Sequence, residues 1–265
     1  GPTLQNLSNS ILGLRVILAS GEIVDVHPGT ELFEVARHSL GGIGLISEVT
    51  LGLRSAYRLH ERMWMEGPDD VFARIDELTT ATRHFEFFWM PQTDTCACKT
   101  LDETNAQPDA LPDLEYERIG WSHEIISSNR DVKHTEMEYS VPAERGPACF
   151  MALREMLLSD FSDLEWPLEY RTLKAADLWI SSATGRETVT ISAHQDIALD
   201  DQPLFEACES IFRQHEGRPH WGKVHYQTGQ ELAQLYPRYH DWWRVRDEHD
   251  PDGLFLTPYL ESLRP

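Results

Sequence analysis

Residues 187–194 alternate without a break, with Val189, Ile191 and Ala193 on one side and Thr190, Ser192 and His194 on the other. A period of two requires an extended strand with one face in a core and the other free for polar groups. Segment 166–173 repeats the pattern, setting Leu168 and Tyr170 against Glu169 and Arg171. Antiparallel pairing of the two strands would bring His194 or Ser192 beside Glu169 and Arg171. A carboxylate and a guanidinium on one sheet face can grip a polyol together, although a solvated cross-strand ion pair is the commoner fate of such residues.

The preceding chain divides at about residue 57. Residues 11–18 and 22–27 flank Ala19-Ser20-Gly21 and predict a β-hairpin. A short helix over 31–39 then runs into Gly41-Gly42-Ile43-Gly44 and a strand through Leu51. Helix, glycines, strand is the reverse of the order a Rossmann dinucleotide site needs, so Gly42 and Gly44 are no evidence for that plan, and close backbone approach at a bend accounts for them. Beyond residue 57 strands alternate with amphipathic helices: strands over 58–65, 84–90, 93–100 and 136–141, helices over 69–80, 145–159 and 203–215. Residues 102–131 show no periodicity and read as a long irregular excursion. Short helices over 231–235 and 239–248, a turn at Asp250-Pro251-Asp252-Gly253 and an alternating segment over 254–263 close the sequence.

Between the last long helix and these elements lies Arg218-Pro219-His220-Trp221-Gly222-Lys223-Val224-His225. Pro219 and Gly222 constrain and free the backbone in turn, so His220, Trp221 and Lys223 can be held against something flat and electron-rich. A surface loop with a half-buried Trp is the plainer alternative. A formal charge of −21 argues against nucleic acid and anionic membranes as partners. No apolar run approaches the roughly 18 residues of a membrane helix, and no signal peptide opens the sequence, which reads as soluble. Four scattered cysteines suit a reducing, cytoplasmic setting, with Cys96 and Cys98 as packing residues on one strand face. The twelve histidines show no metal-ligand spacing, so no metal is expected.

His220-Trp221-Gly222-Lys223, the Glu169-x-Arg171 pair, Glu136-Met137-Glu138-Tyr139-Ser140-Val141-Pro142 and the closing Asp250-Pro251-x-Gly253-x-Phe255 together resemble the sugar-lactone and alditol oxidases. That group includes arabinono-lactone oxidases, gulono-lactone oxidases or dehydrogenases and xylitol or alditol oxidases, within the vanillyl-alcohol-oxidase-type flavoprotein superfamily. Gly42-x-Gly44-x-Ile46-x-Glu48-Val49-Thr50 is similar to the second half of the superfamily's FAD-binding domain. Each motif is short; their order and spacing, spanning nearly the whole chain, make the resemblance specific.

The resemblance implies an α+β fold. Residues 1–56 would be the C-terminal subdomain of the FAD-binding domain, residues 57–217 an antiparallel-sheet cap or substrate domain with flanking helices, and residues 218–265 a segment returning to the FAD domain. It implies FAD-dependent oxidation of a sugar lactone or polyol, with Glu169, Arg171 and Lys223 as a substrate clamp and His194 or His220 as proton acceptor. Gly42, Gly44, Ile46, His220, Trp221 and Lys223 would approach the cofactor, Lys223 stabilising negative charge on the reduced flavin. Two departures from the family pattern stand out. Ser192-x-His194 replaces a His-x-Thr of the sugar-alcohol oxidases, and the N-terminal half of the FAD domain, with its pyrophosphate loop, is missing. An N-terminal FAD-binding fragment or chain is therefore an expected partner, beside the small-molecule substrate. The rival from another class is a non-catalytic binding or assembly subunit that keeps the cap fold without a flavin.

Overall fold

The computed structural model of the protein describes residues 1–108, 116–127 and 132–265. It forms two compact units, one of Gln5–Arg54, Ala175–Gly185 and Tyr226–Pro265, the other of Gly1–Leu4, Ser55–Lys174 and Arg186–His225. We call them the small-sheet and large-sheet units.

The small-sheet unit opens with the expected hairpin, β1 (Ile11–Ile17) paired antiparallel with β2 (Ile23–Val26). Helix α1 (Glu31–Ala36) starts where the Thr30 side chain accepts the Phe33 N–H, satisfying one of the first turn's orphan donors. It ends at Ala36, short of the expected 39, and strand β3 (Leu45–Leu51) then pairs with the free edge of β1, giving the order β2-β1-β3. The glycines at this bend are explained by packing inside the unit. A Cβ on Gly44 would lie 2.5 Å from the Ile17 carbonyl oxygen, and one on Gly42 2.5 Å from Leu260. Only a residue without a side chain admits such contacts.

The large-sheet unit begins with β4 (Arg58–Glu66), followed by α2 (Pro68–Ala73) and α3 (Ile75–Ala81), which break at Arg74 the single helix expected over 69–80. Then come β5 (His84–Met90) and β6 (Thr95–Thr104). Residues 102–131 correct the sequence reading, because β6 runs on to Thr104 and two further elements follow, β7 (Glu117–Trp121) and α4 (Ser122–Ile126). The remaining part of that expectation, residues 109–115 and 128–131, lies outside the described residues. Strand β7 escaped detection because it pairs only with β4 and carries one inward apolar residue, Ile119; α4 covers it through the small cluster of Leu59, Leu101 and Ile125.

Next are β8 (His134–Pro142), α5 (Gly146–Asp160), β9 (Leu168–Leu173), β10 (Thr188–Asp196), α6 (Gln202–Gln214) and the two-residue β11 (Arg218–Pro219). These strands form one antiparallel eight-stranded sheet in the order β11-β8-β10-β9-β5-β6-β4-β7. Over its central strands one face is largely apolar. Phe87 stacks on Tyr170 with ring centroids 4.8 Å apart, and Tyr139 on Phe212 at the same distance. Phe150, Leu153 and Leu157 of α5, with Leu204, Phe205 and Phe212 of α6, complete this core. All four cysteines are buried free thiols on this side, Cys96 and Cys98 packing as expected. Burial raises the thiols, Cys98, Cys149 and Cys208 to about 12.

The chain ends in the small-sheet unit with α7 (Gly229–Leu235), α8 (Tyr239–His249) and α9 (Pro258–Ser262), the last within the segment expected to alternate as a strand. The closing Asp-Pro-x-Gly-x-Phe motif is structural here. Asp250, fully buried, ion-pairs with the buried Arg246 and accepts the N–H groups of Leu254 and Phe255 at 2.8 and 2.9 Å. Arg246 in turn donates to the Gly42 carbonyl at 3.2 Å, so one ion pair ties the end of α8, the final turn and the glycine bend together. Among the described residues no helix is long and apolar enough to cross a membrane.

Candidate active site

Opposite the helix-packed face of the large sheet, the alternation of three adjacent strands sets polar side chains in rows. Register places Ser192 of β10 between Glu138 of β8 and Glu169 of β9, and Thr190 between Ser140 and Arg171. The two strands read most clearly in the sequence therefore pair antiparallel as expected, and Ser192 is the residue directly opposite Glu169. His194 lies opposite Glu136 on the other neighbour, β8.

Arg171 bridges two carboxylates, donating to Glu138 Oε2 at 2.6 Å with Glu169 Oε1 3.5 Å from its Nε. Ser192 Oγ donates to the same Glu138 oxygen at 2.9 Å. Glu138, Glu169 and Ser192 are buried and Arg171 is partly exposed. Burial opposes the Arg171 charge, but Glu138, Glu169 and Glu86 outweigh it and push the guanidinium above its ordinary value. On the next strand Glu86 faces Arg171 and ion-pairs with Lys99 at 2.5 Å.

Lys223 belongs to the loop after β11, and backbone bonds hold that loop to β8: His220 N–H donates to the Glu138 carbonyl at 2.9 Å and Val224 N–H to the Glu136 carbonyl at 3.0 Å. Lys223 thereby delivers its ammonium to Glu136 Oε2. Burial resists ionisation of Glu136, yet the Lys223 hydrogen bond and the charge of His194 hold its carboxyl below the usual range. His194 Nε2 is 3.7 Å from Glu136 Oε1 and His134 Nε2 3.7 Å from Glu136 Oε2. These three residues bring ligand-type atoms within 4.8 Å of one another, a donor set of the kind that holds a metal, but the Lys223 ammonium already sits on the carboxylate.

Of the residues expected to act, Glu169, Arg171, His194 and Lys223 thus share one sheet face with its adjoining loop. His220 is exposed, its Nδ1 accepting the Gly222 N–H at 3.1 Å, and Trp221 is buried against His225. Gly42, Gly44 and Ile46 are in the small-sheet unit, the first two filled in by their own neighbours and Ile46 37% exposed on β3. Sequence reasoning missed the site carboxylates Glu136 and Glu138. Their alternation with Met137, Tyr139 and Val141 carried the same period-two signal as β10.

The family model for D-arabinono-1,4-lactone oxidase matches residues 49–118 and 109–263. An L-gulono-1,4-lactone dehydrogenase of Mycobacterium tuberculosis is 30% identical, the alignment covering 99% of this chain and 70% of the relative. An alditol oxidase of a Streptomyces species is 24% identical with the same coverage, and the mouse L-gulonolactone oxidase 24% identical over 97% of this chain and 69% of its own length. Among solved structures, a cholesterol oxidase of B. sterolicum superposes with a TM-score of 0.79 at 12% identity, covering 99% of this chain and 70% of that one. A solvent-stable cholesterol oxidase reaches 0.79 at 16% identity over 97% and 70%. At that identity the likeness establishes the fold, which is mixed α+β of the vanillyl-alcohol-oxidase type. Matched from residue 49 to 263, the chain belongs to the D-arabinono-1,4-lactone oxidase family.

Proposed function

We propose that this chain carries the substrate-binding part of a flavoprotein that oxidises a sugar lactone or polyol at a carbinol carbon, with FAD as the cofactor. The observation that carries the reading is the row Glu138–Ser192–Glu169 with Arg171 between its two carboxylates. Such a row offers several acceptors and one fixed planar donor to a ligand rich in hydroxyls. The relatives support it through their names, which are those of lactone and alditol oxidases or dehydrogenases.

The donor set fits a flavin. Two cations, Arg171 and Lys223, lie in a site where developing negative charge needs a fixed partner. When bound, the flavin supplies a hydride acceptor at N5; the rest of the mechanism belongs to this chain. Glu169 and Arg171 orient the substrate hydroxyls, and Lys223, with His220 and Trp221 of the same loop, faces the cofactor. His194 donates its Nδ1–H to the Pro167 carbonyl at 2.8 Å, which leaves Nε2 as the nitrogen that can take up a proton. The Nδ1 of His220 is already used by Gly222, so we assign the hydroxyl proton to His194 rather than to His220. In this reading Gly42, Gly44 and Ile46 lie along the cofactor's adenine side, and residues 1–56 and 218–265 serve the FAD domain while 57–217 serve the substrate.

The proposal includes a partner, an N-terminal FAD-binding fragment or chain, and the relatives leave room for one, since this chain covers about 70% of their length. Ile23 and Leu45 flank Ile17 on the face of the β2-β1-β3 sheet away from buried Leu14 and Val16, exposed apolar side chains that such a partner would cover. A cytoplasmic setting is also part of the reading, supported by the four unpaired thiols. The decisive test is a screen of lactones and alditols, with oxygen or a dye as acceptor, on the protein loaded with FAD together with its N-terminal FAD-binding partner. Flavin reduction by one of these substrates supports the proposal; a loaded protein that none of them reduces rejects it.

A further inference from the structure

We propose that Glu136 is a positioning residue: its buried carboxylate, walled by His134 and His194, forms a cage that seats the Lys223 ammonium. The inference rests on the proposed function only for what Lys223 does in turnover; the cage stands on geometry.

Both imidazoles are fixed in the same sense. His194 Nδ1 lies 2.8 Å from the Pro167 carbonyl and His134 Nδ1 3.3 Å from that of Val132. A carbonyl accepts only from N–H, so each ring carries a proton on Nδ1 and turns its Nε2 toward Glu136. A buried carboxylate flanked by two imidazoles requires a cation to face it, the requirement that a metal ion meets elsewhere. Here Lys223 meets it, and the loop that carries Lys223 is registered for the purpose by its two backbone bonds to β8. The surrounding charges come from every packed element: Glu138 on β8, Glu169 and Arg171 on β9, Ser192 beside His194 on β10, and His220 on the loop.

If Glu136 positions Lys223, removing its charge releases the amine while the fold stays intact. Lys133 and Lys174 are exposed and serve as internal references for an amine-reactive label read by mass spectrometry on the assembly of this chain with its N-terminal partner and FAD. Glu136→Gln should raise Lys223 labelling relative to those references by about tenfold, the order of one lost ion pair between partly buried groups. In turnover the same variant should lose about 100-fold, mainly in kcat, as a misplaced group does. Glu136→Asp, which keeps the charge at a shorter reach, should recover part of both, and keeps the test available where the Gln variant folds poorly. The double variant Glu136→Gln/Lys223→Met should be no slower than Lys223→Met alone, because one residue acts through the other. Unchanged Lys223 labelling in Glu136→Gln, or losses that simply add in the double variant, would overturn the inference. Labelling reads the cage even in a protein that oxidises none of the screened substrates, so failure of the functional reading and failure of the cage are distinguishable.

Discussion

Arg171 holds two buried carboxylates at once, and this decides what its loss should do. Removing one partner from a buried charged pair costs about 2 to 5 kcal/mol, so Arg171→Ala should lower kcat/KM by a corresponding factor, and Glu169→Gln should lower it too. Steady-state kinetics that leave both variants at wild-type efficiency would reduce the pair to an inert surface contact. For Lys223 the readout is electrochemical: Lys223→Met should lower the flavin's reduction potential and slow reduction by substrate, measured by dye-equilibrated titration and stopped flow. Glu136 adds a pH effect of definite sign. Its carboxyl lies below its ordinary value in the folded protein, so its contribution to stability is fully present above about pH 4.5 and is lost as pH falls through the lower folded value. Urea midpoints across that acid range should therefore fall less steeply in Glu136→Gln than in the wild type.

At the level of elements, legibility followed periodicity. β9 and β10 were readable because each alternates cleanly, and pairing them led directly to Ser192 facing Glu169. β7 was not, since an edge strand with one inward apolar residue leaves no two-fold pattern, and its Arg118 is engaged by an ion pair to Glu61 that only the register reveals. The role of Glu136 was hidden for a related reason: its partners lie 58 and 87 residues away, and only the order β11-β8-β10 makes them neighbours. The Asp-Pro-x-Gly-x-Phe motif served to recognise the family, while its physical task, closing a buried ion pair onto a turn, needed coordinates. Asp250→Ala strips the buried carboxylate from a guanidinium that is 1% exposed and leaves it only the half-exposed Asp247, so the small-sheet unit should be destabilised by up to about 3 to 5 kcal/mol. Chemical denaturation followed by tryptophan emission measures it, through Trp242 and Trp243 on α8.

For the molecule as a whole, the exposed apolar side chains of the β2-β1-β3 sheet, Ile23 and Leu45 among them, predict that residues 1–265 expressed alone self-associate and take up little FAD. Sedimentation and flavin fluorescence quenching would check this, and tight, stoichiometric uptake by a monodisperse monomer would show that the cofactor site is complete without a partner. The buried thiols offer a separate handle on the same molecule. All four cysteines sit behind the large sheet, and burial disfavours the thiolate that alkylating agents attack. Iodoacetamide should leave the native protein unmodified, and each carbamidomethyl group gained under mild denaturant then records one opening of the large-sheet unit. The small-sheet unit has no cysteine, so its unfolding is silent to the reagent. Alkylation timed against hydrogen exchange of the small-sheet unit's amides therefore tells whether the two units melt as one cooperative body or in sequence.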